Sequence, residues 1–196
     1  MAVVISSPAV VDGIVYFGSL DNYLYAVDLK TANMIWAFKT DDEIEASPCV
    51  VNDTVFIGSA DSFLYAIDAK NGKLKWKYET DSKILGSANS TFSPDGKNTW
   101  IIVGSYDNKL HCVDSKTGGS VWSYETASYI NGAAAISNGK TVTGGCDAVI
   151  HVVSVKDGKP VIQIDAGAYI AGSAALDDRE LSCATLRTDA GKKNSG

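Results

Sequence analysis

The sequence predicts an all-β chain made of successive four-stranded antiparallel sheets. Three observations predict it. A unit of about 40 residues recurs four times. Each copy holds short apolar segments punctuated by Gly, Asn and Asp turn residues. No window carries apolar residues at the helical spacing of i, i+3, i+4 and i+7. The copies begin GSLDNYLYAVD at Gly18, GSADSFLYAID at Gly58, GSYDNKLHCVD at Gly104 and GGCDAVIHVVS at Gly144, starts 40, 46 and 40 residues apart. Trp36, Trp76 and Trp122 follow the first three at a constant offset, and upstream stretches ISSP, IEASP, ILGSA, INGAA and IAGSA align as well.

The first copy shows the elements in turn. SPAVV (7–11) is apolar throughout and reads as a strand buried on both faces. Asp12-Gly13 is a two-residue hairpin signal. IVYFGS (14–19) is the second strand, Asp21-Asn22 a turn, and YLYAVD (23–28) the third strand. A turn over 30–33 leads to the fourth, MIWAFKT (34–40). The second copy turns at Asn52-Asp53 and Asn71-Gly72, the third at Asp95-Gly96 and Thr117-Gly118. The longer 46-residue step is an insertion, SPDGKN (93–98), whose residues suit a longer hairpin loop. Four strands in so short a unit cannot bury both faces alone. Stacked radially, each sheet covers its neighbour, which is the arrangement of β-propeller blades. The blades fall at about 5–40, 44–80, 84–126 and 130–165, with the start of a fifth at 169–176.

Composition narrows the function classes. The chain has 196 residues, 45% of them hydrophobic and 20% charged, ordinary for a globular fold. Seventeen basic residues against 23 acidic give a net charge of −6, a poor match for phosphate-backbone binding, so no nucleic-acid partner is expected. No apolar run approaches the roughly 20 residues of a membrane span. The start, MAVVISSPAVV, lacks the basic region of a secretory signal.

Little in the sequence points to catalysis. Cys49, Cys112, Cys146 and Cys183 show no short pairing and read as isolated thiols. His111 and His151 replace Tyr25 and Tyr65 at one repeat position. Neighbouring third strands put them about 10 Å apart, too far to share a metal, so packing between blades is expected. No G-x-S-x-G elbow occurs. Glu43 and Glu45 lie beside Asp41 and Asp42 on a polar connection, which reads as a solvated loop rather than a glycosidase pair.

The repeat resembles the pyrroloquinoline-quinone-like (PQQ-like) propeller family, whose tryptophan-docking motif is roughly A-x-D-x-x-T-G-x-x-x-W. Ala26, Asp28, Thr31 and Trp36 match it, as do Ala66, Asp68, Gly72 and Trp76, and Asp114, Thr117, Gly118 and Trp122. Ala32, Asn71 and Cys112 depart from it, and the fourth copy keeps only Gly158. The resemblance implies that Trp36, Trp76 and Trp122 wedge between blades. Asp28, Asp68 and Asp114 end the third strand, where a carboxylate fixes the following turn. Lys30, Lys70, Lys116 and Lys156 share one turn position and read as solvated. Relatives include the outer-membrane barrel-assembly lipoprotein, sensor regions of bacterial kinases and quinone-dependent dehydrogenases. The dehydrogenases are expected to carry adjacent cysteines and a Glu/Asn/Asp set for calcium, which this sequence does not match. The expected function is therefore a non-catalytic scaffold for protein–protein interaction or ligand sensing, with no cofactor; a dehydrogenase fragment is the alternative. The resemblance implies a periplasmic or extracellular location.

Recognition is expected on the connections from each fourth strand to the next blade, which cluster near the axis. These connections place Glu43, Lys83, Tyr129 and Tyr169 at one position, and Glu45, Leu85, Asn131 and Ala171 two residues on. Residues 177–196 break the pattern and read as a polar tail, disordered or non-native, as though a longer propeller were cut short. Eight-bladed closure needs roughly twice the chain. The four blades are then half of an eight-bladed ring, a truncated propeller, or a small ring closed on itself. Two copies could also complete the ring as a homodimer.

Overall fold

The computed structural model describes residues 3–170, 172–176 and 181–183. The described residues form no helix; they form four antiparallel four-stranded sheets and one two-stranded sheet, each in sequence order. Blade one comprises β1 (Ala9–Val11), β2 (Ile14–Gly18), β3 (Tyr23–Asp28) and β4 (Met34–Lys39). Blade two comprises β5 (Cys49–Val51), β6 (Thr54–Gly58), β7 (Phe63–Asp68) and β8 (Leu74–Glu79). Blade three comprises β9 (Asn89–Phe92), β10 (Thr99–Gly104), β11 (Lys109–Asp114) and β12 (Ser120–Glu125). Blade four comprises β13 (Ala135–Ser137), β14 (Lys140–Gly144), β15 (Val149–Ser154) and β16 (Pro160–Asp165). β17 (Ala174–Leu176) and β18 (Leu181–Cys183) follow.

The sheet register repeats from blade to blade. Tyr16 pairs with Ala26, Phe56 with Ala66, Ile102 with Cys112 and Val142 with Val152. Each third-to-fourth strand ladder shifts once, at the Ala26/Val27 step and its three counterparts. Pro160 lies in the outermost strand, where no partner needs its missing N–H.

The core sits between blades. Leu24, Ala26, Ile57, Tyr65 and Ile67 share one buried cluster across the first junction. Trp36 Nε1–H donates to Ala69 O at 3.0 Å, Trp76 to Ser115 O at 3.1 Å and Trp122 to Val155 O at 2.8 Å, always in the following blade. Each indole lies against a left-handed glycine of that blade: Gly72, Gly118 and Gly158, at φ of 68–72°. Nearer the axis, a serine ladder links the inner strands. Ser7 N–H donates to Ser47 Oγ, Ser47 N–H to Ser87 Oγ and Ala133 N–H to Ser173 Oγ.

Two expectations need correction. The innermost strand is not buried on both faces: Val10 is 54% exposed and Ala9 and Val11 are half-buried. Val10 shares a face with its ladder partner Val15, and among the described residues no sheet covers that face of blade one. The chain also does not lose its pattern at residue 177 throughout. Leu181–Cys183 pairs antiparallel with Ala174–Leu176, because a fifth first strand leaves its ladder edge free for the next extended segment. Residues 177–180 and 184–196 of the expected tail, and Ala171 of the expected rim, lie outside the described residues.

Candidate functional site

Two faces are defined by where the turns gather. On one, Leu29 N–H donates to Gly13 O, Ala69 N–H to Asp53 O and Val155 N–H to Gly139 O, joining both kinds of hairpin turn within a blade. On the other, Thr40 N–H donates to Asn22 O and Ile44 N–H to Ser19 O. This second face carries the connections between blades and is called the loop face here.

The loop face is pinned from beneath. Ile44, Ile84, Ile130 and Ile170 are fully buried, each against Gly18, Gly58, Gly104 or Gly144 of the preceding blade, where any Cβ would collide. With these residues held inward, the neighbours on either side point outward. Glu43 and Lys83 are exposed, Tyr129 and Tyr169 are 41% and 55% exposed, and Glu45 and Asn131 are half-buried. Asp41 and Asp42 are exposed beside Glu43.

Not all of these residues meet. Lys83, Tyr129 and Asn131 are brought together by Tyr106, a residue the repeat comparison passed over. Its ring stacks on Tyr129, with centroids 4.5 Å apart and planes 13° apart. Its hydroxyl donates to Asn131 Oδ1 at 3.0 Å, and Lys83 Nζ lies 4.7 Å from its ring centroid, a cation–π contact. Tyr106 N–H also donates to Lys83 O, as Ala60 does to Glu43 and Cys146 to Tyr129. The Cys146 thiol, hydrogen-bonded to the Tyr129 hydroxyl, pushes that phenol's pKa up. Burial, with Tyr129 beside it, raises Tyr106. Both phenols are thus neutral donors at ordinary pH. Glu43 and Glu45 sit on the connection ahead of this group and Tyr169 on the one behind it. The signal for Tyr106 was available: Leu20, Ala60, Tyr106 and Cys146 share one position, and only one is aromatic.

The histidines serve a different purpose. His111 Nε2 lies 3.0 Å from Asp107 Oδ2, and its Nδ1 lies 3.1 Å from the Tyr78 hydroxyl of the preceding blade. His151 repeats this with Asp147 and Tyr124, both at 3.0 Å. In blades one and two the tyrosine hydroxyls instead donate directly to Asp21 (2.9 Å) and Asp61 (2.7 Å). Burial holds His111 below its ordinary pKa despite the neighbouring Asp107. A neutral ring with Nε2–H on Asp107 and Nδ1 accepting from Tyr78 satisfies every polar atom. The aspartate four residues ahead was legible in each GSxD or GGxD start.

The third-strand aspartates close their turns. Asp28 Oδ1 accepts from Thr31 N–H (2.7 Å), Lys30 N–H (3.0 Å) and Thr31 Oγ1–H (2.9 Å), which lowers its pKa. Asp68 and Asp114 repeat the pattern. Lys30, Lys70, Lys116 and Lys156 are exposed.

Among the described residues, no group of three His, Cys, Asp or Glu side chains is placed to hold a metal. Cys112 is buried, its thiol pushed up to about 12 by desolvation, and Cys49 is raised for the same reason. Clefts of 320–370 Å³ open between the hairpin turns of the face opposite the loops.

Comparison with known proteins adds identity at the level of the fold. The family described as outer membrane protein assembly factor BamB matches residues 3–98 and 88–174. BamB from Moraxella catarrhalis superposes with a TM-score of 0.75 at 16% identity, over 90% of this chain and 54% of that one. The computationally designed Ika8 protein superposes with a TM-score of 0.74 at 19% identity, over 89% of this chain and 53% of that one. The chain thus spans about half the length of these structures. No curated protein sequence is significantly similar to it.

Proposed function

Because the chain belongs to the family of outer membrane protein assembly factor BamB, we propose that its blades act as a non-catalytic scaffold in the cell envelope, binding a protein partner through the loop face. One observation carries this reading. Lys83, Tyr106, Tyr129 and Asn131 form a contiguous, partly exposed group on a rigid strand framework, with the Glu45 carboxylate close enough to Tyr106 to raise its pKa. Stacked tyrosines with an adjacent cation give area, hydrogen-bonding tips and little entropy loss, the properties of interface anchors. Glu43, Glu45 and Tyr169 extend the surface along the neighbouring connections. A partner with an apolar or aromatic anchor and a basic flank fits it.

The test is photo-crosslinking from defined positions. A photoreactive residue in place of Tyr129 or Tyr169 is expected to capture one envelope protein of the source organism. The same group in place of Lys116, on the opposite face, is expected to capture none of it. Equal capture from both faces would refute the loop face as the recognition surface.

A further inference from the structure

The first strand of blade three departs from its counterparts. Aligned on the ladder to the second strand, Ala9, Val10 and Val11 of blade one match Cys49, Val50 and Val51 of blade two and Ala135, Ile136 and Ser137 of blade four. Blade three places Asn89, Ser90 and Thr91 there, and extends the hairpin by one pair, Phe92 opposite Thr99. Phe92 is 71% exposed, the most of any large hydrophobic side chain among the described residues. The longer hairpin is braced: Ser93 Oγ–H donates to Asp95 Oδ1 at 2.6 Å, and Ser93 Oγ accepts from Asn98 N–H at 2.9 Å. A built arm thus holds an aromatic ring in solvent, where the fold gains nothing from it.

These residues line one cleft of about 360 Å³ on the face opposite the loops, together with Val51 of blade two and Ile136 of blade four. Its walls come from blades two, three and four, whose two junctions are closed by Trp76 on Ser115 O and Trp122 on Val155 O. Among the described residues, no ionisable side chain lines it. Two neighbouring clefts differ: Lys75, Lys97 and Asp114 line one, and Asp12, Asp53 and Lys70 the other.

We propose that this cleft is a binding site for a neutral saccharide. A sugar ring has an apolar C–H face and an edge of hydroxyls, each both donor and acceptor. Phe92, with Val51 and Ile136, offers apolar surface to such a face, and the negative face of an aromatic ring draws C–H groups. The polar groups beside it are hydroxyls and amides, which both give and accept hydrogen bonds. They are fixed by bonds within the protein and keep capacity to spare. Asn89 Nδ2 donates to Ala134 O at 3.3 Å and its Oδ1 accepts from Ser90 N–H at 2.9 Å, which leaves one N–H and one lone pair. Thr99 Oγ1 accepts from Asn52 Nδ2 at 3.0 Å and retains its own proton.

The lining argues against other ligand classes. A phosphate or carboxylate would meet no cation in the cleft, and an amine no carboxylate. A lipid chain would strip water from Asn89 and Thr99 without replacing its hydrogen bonds. The volume lies at the lower end of the range for small-ligand sites, which suits a short saccharide.

Isothermal titration calorimetry on the full chain tests the proposal, with chitotriose, cellotriose and maltotriose as probes and inorganic phosphate as the charged control. Saturable binding of at least one saccharide, with a Kd below about 1 mM, is expected, and none of phosphate. Phe92→Ala is expected to weaken that binding about tenfold or more, and Thr99→Val to weaken it to a lesser degree. Phe92→Ala should melt with the parent, because the ring is exposed. Tyr129→Ala, on the loop face, is expected to leave saccharide binding unchanged, which keeps this outcome independent of the loop-face reading. No binding of any of the three saccharides, or binding indifferent to Phe92→Ala, overturns the proposal. Binding of phosphate instead, or of an extended hexapeptide of alternating threonine and valine in place of every saccharide, overturns it equally.

Discussion

The indole of Trp36 rests against the backbone of Gly72 in the following blade, where a Cβ would stand 2.8 Å from the ring. The same ring donates its N–H to Ala69 O three residues earlier. One side chain therefore reads two features of its neighbour's turn, an exposed carbonyl and a missing Cβ. The turn offers both only because Asp68 holds it, accepting from Lys70 and Asn71 N–H. Trp76–Gly118 and Trp122–Gly158 repeat the relationship.

Gly118→Ala adds a methyl group 2.7 Å from Trp76 at φ 72°. It is expected to lower stability by about 2–4 kcal/mol, from backbone strain and overpacking together. Gly13→Ala, at φ 77° with nothing within 4 Å of the new atom, carries the strain alone and is expected to cost about 1 kcal/mol. Urea denaturation of both separates the two contributions.

Trp122→Ala removes a buried ring and its bond to Val155 O. A loss of about 3–5 kcal/mol is expected. Trp122→Phe keeps much of the area but not the donor, and should recover part of it in the same denaturation series.

His111 is buried and held below its ordinary pKa. The unfolded chain then binds a proton near pH 6.5 that the folded chain refuses, so stability falls as pH drops below about 6.5. His111→Tyr with Tyr78→Phe imports the Phe38–Tyr65 pairing of the first junction. The double variant should show a shallower loss of melting temperature between pH 7 and pH 5.

Thr141 Oγ1 is buried without a hydrogen-bond partner among the described residues, at a position held by Val15, Val55 and Ile101 in the other blades. Thr141→Val keeps the shape and removes the unpaired hydroxyl. A gain of about 1 kcal/mol is expected in thermal or urea unfolding.

The blades were legible because strand pairing leaves a period of two and turns leave Gly, Asn and Asp at fixed offsets. Three tryptophans in phase then marked the junctions. The inner strand was misread because an apolar segment such as Ala9–Val11 looks alike whether or not another sheet covers its face. The rim was legible as positions but not as a group. Lys83, Tyr129 and Asn131 come from the connections, whereas Tyr106 comes from a hairpin turn of the preceding blade. Packing of Ile130 on Gly104, with the Ile130 N–H bond to Ser105 O and the Tyr106 N–H bond to Lys83 O, brings these segments together. The Tyr–His–Asp chains were hidden for a similar reason, since Tyr78 and His111 are 33 residues apart.

The most direct test of the loop-face account is a binding titration with the protein captured from Tyr129. The chain with Lys83→Ala, Tyr129→Ala and Tyr169→Ala combined is expected to bind at least about tenfold more weakly. Its melting temperature should stay near that of the parent, because all three side chains are exposed. Unchanged affinity in the triple variant, with Lys116→Ala weakening binding instead, would contradict the account.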